Sequence, residues 1–350
     1  MKRTAYLALA WLSTLATGAL AASDSGHAPA WNPSEVTAAI SETLRGHVFD
    51  PAQTASPAYL QTMERVQVLA SSQPHREAYV KEFNQAWGEG PFSHVRLAVA
   101  RANAAQTADY LDQLRVGGGG ASLAWQGDVA ILTVNTMMGV DTIEQIGAAY
   151  QSISERGARA LVVDLRGNEG GAFAVVPLVS HVLAEPLEAG VFLGSGWFAR
   201  KRPSPLMEEM EALPAWRGWS LKAFWADVES QGILRIRFEP AAPAFSGPVY
   251  VLTSRRTASA AELAADALQA RGRALVIGEV SAGQMLSQKM YDVPGGLQLS
   301  LPVADYVSHH GGRIEGQGVS PDVVVPAGEA LERALAMARS QDDSRPARQP

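Results

Sequence analysis

Short apolar runs rich in β-branched residues alternate with longer stretches of helical periodicity over residues 125–328. Such runs predict buried strands, and apolar positions three and four residues apart predict helices that cover them. The predicted strands are 129–134, 160–165, 249–252, 275–277, 289–293 and 297–303. The predicted helices are 142–155, 172–183 and 258–270. Alternation of this kind is typical of an α/β fold built from ββα or βαβ units.

Residues 31–115 have a different pattern, in which apolar positions recur at helical spacing. Pro33 and Ser34 are typical of a helix start. Three further amphipathic segments predict an N-terminal helical region, with helices at 59–70, 76–87 and 96–114. Four consecutive glycines, 117–120, then lead directly to the first strand of the core.

An aromatic insertion, residues 195–247, interrupts the α/β pattern. It holds four of the eight tryptophans of the chain, namely Trp197, Trp216, Trp219 and Trp225. Two interpretations stay open: the insertion roofs an active site and forms an apolar substrate pocket, or it covers a bare face of the core.

A serine stands where the strand at 249–252 passes through small and hydroxyl residues into an alanine-rich helix. At such a turn the Ser259 hydroxyl stands clear of the backbone, and the free N–H of Ala260 points towards an oxyanion formed beside it. This indicates nucleophilic catalysis. The alternative is that Thr257 or Ser259 only caps the helix, with Glu262 completing a capping box.

A second buried strand, 160–165, runs into a glycine-rich turn that ends at Gly170 and Gly171. Glycine lets the backbone direct N–H groups at a ligand, so either residue is a candidate for the second oxyanion donor. An ordinary tight turn between strand and helix is the other interpretation.

Four segments together resemble the serine peptidase family of tail-specific (C-terminal-processing) proteases, tricorn protease and interphotoreceptor retinoid-binding protein modules. They are the serine turn, the glycine turn and the two motifs 278–283 (Gly-Glu-Val-Ser-Ala-Gly) and 318–322 (Gly-Val-Ser-Pro-Asp). The resemblance covers about residues 125–325. It implies a ClpP/crotonase-like ββα superhelix core with an N-terminal helical region, and the short link at 117–120 leaves no room for the PDZ module that the family often carries.

One departure from the tail-specific proteases affects the mechanism. Their lysine base follows the motif at 278–283, where this chain has Gln284. An amide does not accept the serine proton at useful pH. Lys289 comes five positions later and is interpreted as a strand residue that faces water.

The tricorn-like branch instead uses a Ser-His pair and a glutamate before the closing motif, and Ser93, His94 and Glu315 match these positions. The resemblance implies that His94 shuttles the proton of Ser259, with Ser93 and Glu315 orienting the ring. The alternatives are that His94 is a hydrogen-bonded structural residue and that Glu315 is a solvated acid. His309 and His310 are rival bases, interpreted as loop residues near the site.

Composition and the first residues limit the possible partners and the cellular location. A net charge of −6 without an extended basic stripe argues against a nucleic-acid partner. Residues 1–22 have the basic, apolar and small-residue regions of a secretory signal peptide. This pattern and the absence of cysteine predict a periplasmic or secreted protein without a stable membrane anchor after cleavage. The charged, proline-containing tail 341–350 is predicted to be disordered.

Two functions follow from these features. The first is a serine endopeptidase that acts on proteins or peptides, with no metal or organic cofactor implied. The second is a catalytically inactive module that binds a ligand or peptide on the same fold, with Gln284 marking the loss of catalysis. The number of subunits is left open.

Overall fold

The computed structural model describes residues 31–200, 204–310 and 312–343. The predicted signal peptide lies outside them, as do residues 344–350 of the predicted tail. The α-helices are α1 (Pro33–His47), α2 (Pro57–Ser71), α3 (Arg76–Gly88), α4 (Ala104–Asp112), α5 (Val140–Arg156), α6 (Val175–Ser180), α7 (Ser195–Phe198), α8 (Met207–Glu211), α9 (Leu221–Gln231), α10 (Ala260–Ala270) and α11 (Ala330–Asp343). The strands are β1 (Arg96–Val99), β2 (Ala121–Gln126), β3 (Val129–Val134), β4 (Ala160–Asp164), β5 (Leu187–Gly194), β6 (Ile233–Phe238), β7 (Val249–Thr253), β8 (Leu275–Gly278), β9 (Ser287–Val293), β10 (Leu297–Ser308), β11 (Gly312–Arg313) and β12 (Val323–Val324).

The first sheet has the strand order β12-β8-β7-β4-β3-β2 and is parallel except for the antiparallel pair β2–β3. Its central strands β4 and β7 are buried along their whole length, which explains why both read as continuous apolar runs. In their register Asp164 is opposite Leu252. Both strands therefore end at the same sheet edge, where ligands bind in open α/β sheets.

The second sheet follows the order β1-β10-β5-β6, with β9 and β11 also paired to the long strand β10. The N-terminal helices pack against it, and Val36, Tyr79, Leu97 and Leu299 belong to one buried cluster. A separate cluster fills the space between the first sheet and α5, α6 and α10. The N-terminal helices therefore share a core with the second sheet, whereas the cluster beneath α5, α6 and α10 takes side chains from both sheets, such as Leu132 and Tyr306.

The prediction of a helix over 96–114 is wrong at its start. Residues Arg96–Val99 form a strand, with Leu97 opposite Leu299 in the antiparallel pair with β10. The helix begins only at Ala104, after an Asn103 capping box. Pairing with a distant strand decided the conformation, and a local periodicity does not report such pairing.

The other boundaries differ less. The predicted helix 172–183 is confined to α6, because the N–H groups of Ala172 and Ala174 instead donate to the Met137 carbonyl. The prediction missed β2, which forms a hairpin with β3. It also missed β6, which makes part of the aromatic insertion an extension of the second sheet. The last helix continues to Asp343, past the predicted start of the tail at 341.

Only a loop, residues 113–120, separates α4 from β2. As predicted, this link is too short to hold a PDZ module. None of the helices in the described part of the chain is long and apolar enough to span a bilayer.

Candidate active site

Ser259 lies at a strained turn between β7 and α10. Its backbone has φ 54° and ψ −123°, a left-handed conformation that serine rarely adopts. A sharp strand-to-helix turn of this kind holds a nucleophile out from the top of a sheet. Strain persists only where the surroundings enforce it. Here the Thr257 hydroxyl donates to the Leu165 carbonyl at 2.8 Å, and the Ala258 N–H donates to the Asn168 carbonyl at 3.0 Å.

Glu262 anchors this turn to the motif at 278–283. The side chain is fully buried. Its carboxylate accepts from the Ser259 N–H at 2.9 Å and the Ser281 hydroxyl at 2.6 Å. It also accepts from the N–H groups of Gly283 and Gln284, at 2.7 and 2.9 Å. Burial raises the pKa of Glu262, and the four hydrogen bonds act against that shift. The sequence pattern indicated only the capping contact with Ser259. The other three hydrogen bonds come from a segment about twenty residues away.

Gly170 contacts the Ser259 side chain directly. Its φ is +99°, and a Cβ placed on it would lie 2.5 Å from the Ser259 Cβ and 3.2 Å from the Oγ. Glycine is therefore required by both conformation and space. The Gly170 N–H donates to the Asn168 side-chain oxygen at 2.8 Å. In this structure Gly170 thus makes room for Ser259, and its N–H is not directed at an oxyanion as expected from the sequence.

The other two predicted oxyanion donors have free N–H groups. Within the described residues, neither the Gly171 N–H nor the Ala260 N–H has an acceptor. Both residues line the same cavity as Ser259. They are the better pair of donors for a negative charge beside the Ser259 hydroxyl.

Asn168 organises the glycine turn, and none of the sequence motifs pointed to it. It is fully buried, and its amide also donates to the Val134 carbonyl at 3.0 Å. The only signal was an amide residue inside a Gly-Asn-Glu-Gly-Gly segment, a position that asparagine also occupies in ordinary turns.

His94 reaches the cavity from the loop between α3 and β1. Its backbone φ is +67°, so it too adopts a left-handed conformation. The Ser93 hydroxyl lies 2.5 Å from the His94 Nδ1. Burial lowers the pKa of His94 from 6.5 to about 4, so the ring is neutral at neutral pH. His94 and Ser259 thus line the same cavity, and Ser93 contacts the His94 ring.

Glu315 has a different place from the one expected. It is buried, and its carboxylate accepts from the N–H groups of Met285 and Leu286 at 2.7 and 3.3 Å. Met285 and Leu286 are among the described residues that line the cavity, and Glu315 is not. The interpretation of Glu315 as a solvated acid is therefore wrong. Its visible role is to hold the segment that forms one wall.

The rival bases lie elsewhere. Lys289 is a strand residue of β9, as predicted, and its Nζ pairs with Glu229 at 2.7 Å. His309 pairs with Glu211 at 3.0 Å and contacts the His310 ring. No lysine, and no histidine other than His94, is among the described residues that line the cavity. His309 and His310 therefore do not line the cavity that contains Ser259.

The cavity has a volume of about 720 Å³ and a largely aromatic and aliphatic wall. Trp216, Trp219 and Trp225 of the aromatic insertion line it. Trp197 instead packs in a separate cluster with Met210 and Val307. Each interpretation of the insertion thus describes part of it. Three of its tryptophans line the cavity, and the fourth covers a face of the second sheet.

A protein-family model, Peptidase family S41, matches residues 128–325, more than half of the chain. The chain belongs to peptidase family S41. The match begins at the first parallel strand and ends after the closing motif, so it contains Ser259, the glycine turn and Glu315. Ser93 and His94 lie outside it, in the helical region where the sequence resemblance was looser.

Individual relatives agree with this assignment. The "Carboxyl-terminal-processing protease" of Picosynechococcus sp. is 29% identical over 184 residues, which cover 52% of this chain and 36% of that protein. The match thus spans about a third of the relative's length. A crystal structure of a Parabacteroides merdae protein aligns with a TM-score of 0.61 at 15% identity, covering 91% of this chain and 100% of that one.

The tricorn protease structure aligns with a TM-score of 0.53 at 11% identity, covering 89% of this chain and 36% of that one. At these identities the two structures show a shared fold. The predicted α/β fold class and the family resemblance are confirmed.

Proposed function

We propose that this S41 family member is a serine endopeptidase in which Ser259 is the nucleophile and His94 is the base. The observation that carries the proposal is that a strained serine turn and a neutral imidazole face one cavity, although 165 positions separate them in sequence (259 − 94). A nucleophile beside a base that is oriented by a third group is the usual arrangement for acyl transfer.

The proposed reaction uses the tautomer of His94 that carries its proton on Nδ1. With Nδ1–H donating to the Ser93 hydroxyl, the lone pair of His94 Nε2 accepts the Ser259 proton as Oγ attacks the substrate carbonyl. The Gly171 and Ala260 N–H groups stabilise the oxyanion. His94 returns the proton to the leaving amine, and a water molecule then hydrolyses the acyl-enzyme by the same proton transfer.

Two buried acids act as positioning residues in this scheme. Glu262 holds the Ser259 backbone against the motif at 278–283, and Glu315 holds the wall at Met285 and Leu286. Neither needs to touch the substrate. Ser93 fixes the ring orientation, which is the task that an acidic residue performs in many triads.

The pH profile should reveal the buried base. Only neutral His94 accepts a proton, so kcat/KM should fall as pH drops through about 4, whereas an ordinary imidazole would lose activity near 6.5. Because the pKa of His94 is lowered in the folded state, the unfolded chain binds a proton at His94 first as the pH falls. The contribution of His94 to stability therefore declines between pH 6.5 and 4. Initial rates from pH 3 to 8, with circular dichroism at each pH, separate the two effects. A limb near pH 6.5 in folded protein would contradict the assignment.

The second candidate function is a binding module without catalysis. The observations that favour it are the glutamine at position 284 and a roomy apolar cavity, which suits a bound ligand as well as a substrate. The Gln284 N–H donates to Glu262, and the residue is not among the described cavity-lining residues. A base from another segment makes the loss of lysine compatible with activity.

Covalent labelling distinguishes the two functions. A fluorophosphonate probe should modify folded protein, and peptide mass spectrometry should locate the adduct on Ser259. Ser254 and Ser281 are buried serines in the same region and should stay unmodified. Heat-unfolded protein is the control, since labelling depends on the assembled site. Absence of an adduct, or an adduct on another serine, would favour the binding module.

Action outside the cytosol is also part of the proposal. It is supported by the signal-like residues 1–22 and by the lack of cysteine. Comparison of the N-terminus of the exported protein with the encoded one tests it directly.

A further inference from the structure

Three aromatic residues form a continuous wall next to the catalytic turn; we call Phe173, Trp216 and Trp219 the aromatic wall. Phe173 follows Gly171 by two positions, so it lies directly after the turn that carries this proposed oxyanion donor. Its ring is 6.1 Å from that of Trp216, nearly parallel to it, and 5.9 Å from that of Trp219. All three line the cavity that contains Ser259 and His94.

The wall is held in place before any ligand arrives. The Trp216 indole N–H donates to the Asp227 carboxylate at 2.9 Å. The Trp216 ring also packs edge-to-face with Phe224, with ring centres 5.4 Å apart. Trp219 is the exception, because 55% of its surface is exposed although Phe173 supports it. Rigid aromatic surfaces bind apolar groups at a low cost in conformational entropy.

Charge does not compete with this apolar surface. The charged residues among the described lining residues are two glutamates and two arginines. Glu169 pairs with Arg256, Arg217 pairs with Glu239, and Arg237 lies 3.5 Å from Glu188. The His94 ring is neutral at neutral pH. Each of these four charged side chains thus has an oppositely charged neighbour within 3.5 Å.

We infer that the aromatic wall selects peptides with a bulky apolar or aromatic side chain next to the scissile bond. The inference rests on the proposed peptidase function and adds its substrate class. A cavity of about 720 Å³ accommodates such a side chain together with neighbouring residues of the peptide. A small side chain leaves the wall exposed to water, and a charged one loses hydration without gaining a partner.

The test first maps a cleavage site in a peptide. It then compares peptides that differ from this one at a single residue, either just before or just after the cleaved bond. For the unmodified protein, kcat/KM should be about 100-fold higher with Phe than with Ala at the selected position, and lower still with Lys or Asp. Trp219→Ala and Phe173→Ala should each reduce the Phe-to-Ala ratio about fivefold. Trp125→Ala is the matched control, because Trp125 packs under Arg156 and does not line the cavity.

Each outcome decides a different question. Cleavage of no peptide, together with no Ser259 adduct, overturns the peptidase function itself. Cleavage without preference for bulky apolar residues overturns only the present inference. So does a preference that Trp219→Ala and Phe173→Ala both leave intact in folded protein. Because Trp219 is more than half exposed, its replacement is not expected to impair folding.

Discussion

Ser259→Ala is expected to lower kcat on the order of 10⁶-fold, to the level set by substrate binding and the oxyanion donors alone. Only the hydroxyl group is removed, and the backbone strain at φ 54° is the same for alanine as for serine. The free energy of unfolding should therefore change little. Peptide hydrolysis, thermal unfolding and substrate binding by calorimetry measure the three quantities separately.

Binding gives this experiment its control. The Ser259→Ala protein should still bind the peptide that the unmodified protein cleaves, because the aromatic wall and the N–H donors remain. Ser281→Ala is the matched variant: it also removes a hydroxyl, but this one donates to buried Glu262 and does not line the cavity. It should cost roughly 1–3 kcal/mol of stability, because buried Glu262 and the Val319 N–H each lose a partner, and it should lower activity far less than Ser259→Ala does. Full hydrolysis by Ser259→Ala protein would refute the nucleophile assignment.

His94→Gln should cause a loss of kcat similar to that of Ser259→Ala, because a nucleophile and its base act as one unit. The double variant should then be no slower than either single variant. Glutamine retains polar atoms but does not take up the serine proton at neutral pH. Steady-state rates of the three variants on one peptide test this non-additivity. Multiplied losses in the double variant would show that the two residues act independently.

A second histidine variant serves as the control for His94. His310→Gln removes an imidazole that belongs to a cluster with His309 and Glu211, outside the described cavity lining. It should leave kcat/KM unchanged. An effect of His310→Gln comparable to that of His94→Gln would restore the rival base and contradict the geometry described above.

The sequence predicted the central strands well, because burial on both faces leaves an unmistakable apolar run. The strand β3 matches its predicted range, and β4, β7 and β8 differ from theirs by one residue. The start of α4 was predicted poorly. Residues 96–99 are a strand only because β10 lies beside them, and that neighbour comes about 200 positions later.

Within the site, the sequence identified residues whose type carries chemistry and missed those that act through backbone contacts. Ser259 and His94 were predicted from their motifs, and both line the cavity. Asn168 was missed because its importance lies in hydrogen bonds to two turns. Gly170 was assigned a donor role, yet its missing side chain is what Ser259 needs. A single sequence does not reveal which N–H of a glycine turn is already occupied.

The presence of two cores has a consequence for how the protein loses function. His94 belongs to the loop that enters β1, beside the core of the second sheet, while Ser259 stands on the first sheet. Loosening of the front end would separate base from nucleophile before the parallel strands melt. Loss of the proposed activity on heating or in denaturant would then precede global unfolding, and the contact between the two sheets would set the highest temperature at which the protein works.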